Sequence, residues 1–97
     1  MDLAAFKATL ANDAPPDLSG PLRALWHDGR GDWHAAHDLL QNEQGGAGAW
    51  VHAYLHRKEG DNSNAAYWYR RAGKPMAGGS LEAEWEAITA DLLTETP

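Results

Sequence analysis

Residues 53–61 read AYLHRKEGD, and residues 24–32 read ALWHDGRGD. Both fit an A-x-x-H-x-x-x-G-D pattern displaced by 29 positions, which sets His27 over His56. The register continues past the turn, with Ala36 over Ala65 and Leu40 over Tyr69. A glycine closes one helix, an aspartate caps the next, and alanines let the two helices approach closely. The pattern therefore predicts helix–turn–helix twice.

The flanks agree with a helical reading. Asp2 can cap a helix carrying Leu3, Phe6 and Leu10, and Pro15-Pro16 then breaks the chain. Ser19-Gly20-Pro21 offers a cap with proline at the first helical position. Further helices are expected over about 21–28, from Asp32 to Gly45-Gly46, over 48–59 and over 62–72, where Gly73 and Pro75 stop the last. Ser80 caps a closing helix over 80–95, with Leu81, Trp85, Ile88 and Leu92 on one stripe. No stretch alternates with period two, so the expected fold is all-α: a compact bundle of five to six helices in one domain. Its helix–turn–helix units fall at about 21–45 and 48–74.

Composition narrows the function. Eight Lys plus Arg against fourteen Asp plus Glu give a net charge of −6, which argues against a dedicated nucleic-acid binder. The absence of cysteine removes disulfides and thiolate ligands. The N-terminal stretch lacks the basic and apolar regions of a secretory leader, and no run approaches the ~20 apolar residues of a membrane span. A cytoplasmic protein off the membrane is the expectation. Neither a phosphate-loop glycine motif nor a nucleophile elbow is present, so no cofactor and no catalytic residue is assigned.

GDNSNAAYWYRRA, residues 60–72, resembles the second half of a tetratricopeptide-type or Sel1-like repeat. Gly60, Ala65, Tyr69 and Ala72 match its turn glycine, small residue, aromatic and second alanine, and Gly31, Ala36 and Leu40 match in the earlier copy. The likeness covers roughly residues 21–75. It departs in its period of 29 and in placing His27 and His56 where a packed tyrosine usually stands. The string WVHAYLHRKEGDNSNAAYWYRRAG, residues 50–73, also resembles small bacterial proteins of unassigned function. The resemblance implies a non-catalytic module whose groove binds a protein segment or peptide.

Particular residues stand out. On a helical wheel His52, His56 and Glu59 share a sector of about 60° beside an apolar face. Histidines at i and i+4 can reach one metal ion, with Glu59 as a third ligand or as an orienting carboxylate. Against this, the match of His27 to His56 suits an architectural role for His56, whereas the counterpart of His52 is Arg23. His37 and Gln41, one turn apart, can present paired polar groups, while His34 points outward. Asn64, Tyr67 and Arg71 line one edge of the 62–72 helix and can grip a carboxylate or phosphate, or Arg71 can simply cover aromatic surface.

Arg57, Lys58, Arg70, Arg71 and Lys74 concentrate the basic charge, opposite an acidic 82–95 segment. Internal complementarity accounts for that asymmetry. Two functions remain: peptide binding through His52, His56, Asn64, Tyr67 and Arg71, or a ligand or metal site built from His37, His52, His56 and Glu59. A homodimer using exposed aromatics is a third.

Overall fold

The computed structural model describes residues 1–95 and forms six α-helices: α1 Leu3–Thr9, α2 Gly20–Gly29, α3 Trp33–Leu40, α4 Gly46–Lys58, α5 Asn62–Ala72 and α6 Leu81–Glu95. No strand occurs among the described residues. The arrangement is all-α, with extents of 34 × 27 × 25 Å. No helix among them is long and apolar enough to cross a membrane.

The capping chemistry explains the boundaries. Side chains of Asp2, Asp32, Asp61 and Ser80 accept hydrogen bonds from the backbone N–H three residues on, at 2.8–3.2 Å. Each satisfies a donor that the first helical turn leaves orphaned. The repeated pattern has a repeated geometry. The N–H groups of Gly31 and Asp32 donate to the carbonyls of Asp28 and His27; those of Gly60 and Asp61 donate to Arg57 and His56. Gly31 and Gly60 take φ values of +85° and +90°, a region that penalises any Cβ. Two turns, 29 residues apart, thus close α2 onto α3 and α4 onto α5 in the same way.

Small residues set the spacing within each pair. Ala24 and Ala36 in one, and Ala53 and Ala65 in the other, are fully buried. Phe6, Leu22, Leu25, Trp26, Leu40, Val51, Leu55, Trp85, Ile88 and Leu92 fill the main core between the pairs and α6. Indole N–H groups are matched inside it: Trp85 donates to the Leu25 carbonyl and Trp33 to that of Leu55, both at 2.9 Å. The second bond anchors α3 to α4 and fixes the orientation of the Trp33 ring.

Two buried carboxylates tie the helices together. Asp28 accepts from the Tyr54 hydroxyl at 2.8 Å and from Lys58 Nζ at 2.9 Å, linking α2 to α4. Glu84 accepts from Arg57 at 2.8 Å and from the Tyr69 hydroxyl, linking α6 to α4 and α5. Burial and the adjoining carboxylates push both phenols up from their ordinary pKa, so each stays a neutral donor. The stripe expected on α6 is wider than the apolar residues alone, because Glu84 and Thr89 are also buried. Charge complementarity is realised in part: Arg57 meets Glu84, and Lys74 lies 4.0 Å from Asp91.

Candidate functional site

His52 and His56 project from one face of α4, one turn apart, and are 6% and 7% exposed. α3 crosses beside them and delivers His37, which is half-buried. Its ring lies 5.0 Å from that of His52 and 5.2 Å from that of His56, edge-on to both. One ligating nitrogen from each of the three falls within 4.8 Å of the other two. A second group, His56, Glu59 and Asp61, meets the same distance but is mostly exposed.

Tryptophans wall the triad. Trp33, held by its bond to α4, stacks on His37 at 4.9 Å with the planes 7° apart. Trp68 of α5 stacks on His52 at 4.1 Å and 16°. Trp68 is half-buried, with Arg71 lying 5.3 Å over its ring. Neither tryptophan was picked out as part of a site. Trp33 precedes His37 by one helical turn, and that spacing was the available signal.

Polar neighbours orient two of the imidazoles. Glu59, the residue that closes α4, holds His56 Nδ1 at 2.6 Å. With the proton on Nδ1 and donated to the carboxylate, the lone pair on Nε2 is free to face the cluster. Gln41 Nε2 lies 3.2 Å from His37 Nδ1. Turning the carboxamide over lets Nδ1–H donate to its oxygen, again releasing Nε2. The sector shared by His52, His56 and Glu59 therefore resolves differently from the wheel. Glu59 serves His56, and the third imidazole beside His52 comes from His37.

The repeat does not carry over to this cluster. His27, the counterpart of His56, packs edge-on to Trp26 at 5.0 Å and belongs to neither three-residue group. His34 is exposed. On α5, Arg71 donates to the Tyr67 hydroxyl at 3.0 Å, and Tyr67 is 45% exposed. Asn64 is half-buried on the same helix, and its backbone N–H donates to Asp61 at 3.2 Å.

The surroundings favour the neutral form of His52 and His37. Burial, then the neighbouring His37 and His56, lowers the His52 pKa from 6.5 to about 4. Burial and His56 lower that of His37 as well, against the opposing pull of Glu59. Since the folded pKa of His52 is depressed, the unfolded chain binds the extra proton first. The stability contribution is present above pH 6.5 and is lost as pH falls toward about 4. Melting temperature should decline across that window, and His52→Gln should flatten the decline. Equal slopes for the two proteins would show that His52 does not titrate there.

The cavities described in the structure lie elsewhere. One of about 290 Å³ is bounded by Asp28, Tyr54, Lys58 and Trp85, and one of about 300 Å³ by Trp50, Met76 and Ile88. The three imidazoles meet between Trp33 and Trp68, away from both cavities. Comparison with protein-family models, with curated proteins and with solved structures finds no match.

Proposed function

We propose that this protein binds a divalent transition-metal ion of the zinc class through His37, His52 and His56. The convergence of three imidazole nitrogens within 4.8 Å, from two separately packed helices, carries the reading. Tetrahedral zinc with bonds of about 2.0–2.1 Å needs its nitrogens roughly 3.3 Å apart. Closure from within 4.8 Å to that spacing calls for small side-chain rotations of all three imidazoles. Neutral nitrogen donors suit zinc, nickel, cobalt or copper and discriminate against magnesium and calcium, which prefer oxygen. Glu59 and Gln41 occupy the positions of outer partners that fix tautomer and ring orientation.

A ligand that binds only the folded chain stabilises it by about 2.7 kcal/mol at a concentration a hundred times its dissociation constant. For a domain of this size that is a rise of roughly 10–20 °C in melting temperature. Zinc should produce such a rise and magnesium at the same concentration none. Equal responses to the two ions would sink the proposal.

A second reading, a tetratricopeptide-like module that binds a protein segment, draws support from the twice-used turn and from exposed Tyr67 beside Arg71. On that reading a retained peptide is lost with both Tyr67→Ala and Arg71→Ala. Retention unchanged in the two variants counts against it.

A further inference from the structure

The two three-residue groups share His56. In the first it meets His37 and His52; in the second it meets Glu59 and Asp61, again with all three ligand atoms within 4.8 Å of one another. The groups differ in their access to water. Glu59 and Asp61 are exposed, whereas His52 and His56 are 6% and 7% exposed. An ion bound for the imidazole triad therefore has to leave water to reach ligands that are almost wholly covered. Among the described residues no group hydrogen-bonds to the His52 imidazole, which meets the rings of His37, His56 and Trp68. A buried polar side chain in that state is one kept for a ligand.

The turn from α4 to α5 fixes the exposed group. Glu59 closes α4 and meets His56 Nδ1 at 2.6 Å. The Asp61 N–H donates to the His56 carbonyl at 2.9 Å, and its Oδ1 caps α5 by accepting from the Asn64 N–H. Capping occupies one oxygen and leaves the other to accept. Arg57 and Lys58, which precede this turn, are matched by Glu84 and Asp28. Among the described residues neither Glu59 nor Asp61 pairs with a lysine or arginine. Two carboxylates thus leave a local negative field beside His56. The field reaches α3 as well, since Glu59 acts to raise the pKa of His37.

We infer that His56, Glu59 and Asp61 form a capture site, where a divalent ion first binds before His56 passes it to His37 and His52. The ion keeps one ligand while it exchanges two carboxylate oxygens for two imidazole nitrogens, so it is not released in between. Donor chemistry sets the direction, because imidazole suits zinc-class ions and carboxylate suits harder ones. The inference rests on the metal reading above and adds the route by which the site is loaded. Asp61 touches the ion only in transit and drops out of the equilibrium constant. Its removal slows arrival and departure alike.

Stopped-flow mixing of the full chain with cobalt(II) tests this. Trp33 and Trp68 stack on two of the triad's ligands, so arrival of the ion is followed as quenching of tryptophan fluorescence. Departure is followed by mixing the loaded protein with excess EDTA. Asp61→Asn keeps the helix cap and removes the charge. It should slow both rates at least about fivefold at low ionic strength, leaving the dissociation constant within about twofold of wild type. Asp38→Asn removes the same charge from an exposed position next to His37 but outside both groups, and should change neither rate. Wild-type rates in Asp61→Asn, or equal slowing in Asp38→Asn, overturn the inference and leave the metal site standing. Slowed arrival with unchanged departure would put Asp61 in the final coordination and also overturns it. Failure of the wild-type chain to bind cobalt overturns both.

Discussion

Asp28→Ala should destabilise the protein by about 2–3 kcal/mol, a lowering of roughly 8–24 °C in melting temperature. The argument starts from what the substitution strands. Tyr54 is 2% exposed, and its hydroxyl donates to Asp28 at 2.8 Å. Without the carboxylate, a buried donor loses its partner, and such a loss costs about 1–3 kcal/mol. Lys58 loses its partner too, but its side chain is 37% exposed and its ammonium reaches water, so that part is small.

Two controls separate these contributions. Asn in place of Asp28 keeps an oxygen to accept from Tyr54, so Asp28→Asn should retain more than half of the lost stability. Tyr54→Phe should cost less in the Asp28→Ala background than in the wild type, because the stranded hydroxyl has gone. Urea titration of the five proteins (wild type, Asp28→Ala, Asp28→Asn, Tyr54→Phe and the Asp28→Ala/Tyr54→Phe double variant) measures all of this. A loss below about 0.5 kcal/mol for Asp28→Ala would mean that the α2–α4 link contributes nothing.

His52→Ala is the second large effect, and it falls on metal binding. Removing an outer partner of a metal-ligating histidine typically lowers affinity 10–100-fold. Removing a ligand should exceed that, so zinc affinity should drop by more than about 100-fold. Glu59→Ala and Gln41→Ala should fall within the smaller range. His27→Ala and His34→Ala should leave affinity unchanged, since neither residue belongs to the cluster. Competition against a chromophoric chelator ranks the five variants. If His27→Ala weakened zinc as much as His52→Ala, binding would be the diffuse affinity of any histidine-containing chain.

The helices were legible because their signals are local. Asp32 and Asp61 cap, Gly31 and Gly60 turn left-handed, and the alanines that bring the pairs together recur at the same offset. Helix ends drifted where glycine is neutral to the outcome: α2 includes Gly20 and Gly29, and α4 begins at Gly46, two residues before the position expected. The site was legible only where it is helical. His52 and His56 share a face by periodicity alone. His37 joins them because Trp33 bonds the Leu55 carbonyl and lays α3 against α4, a contact across 22 positions that leaves no mark in the local pattern.

Other features were hidden for the same reason. Asp28 reads as one more polar residue near a helix end, yet its partners lie 26 and 30 positions away. The basic stretch on either side of Gly60 looked like one patch. Tertiary pairing splits it into three neutralised cations and the unmatched Arg70–Arg71 edge. The equivalence of His27 and His56, real in the backbone turns, suggested equal roles. Their neighbours differ because α3, the helix before α4, presents His37 to it, whereas the chain before α2 contains no histidine.

The central claim is tested most directly by zinc K-edge X-ray absorption on the metal-loaded protein, compared with His37→Ala. The account predicts one zinc per chain with three imidazole nitrogens at about 2.0 Å and a lighter fourth ligand, falling to two imidazoles in the variant. A wild-type spectrum with fewer than two imidazoles, or one unchanged by His37→Ala, would contradict it.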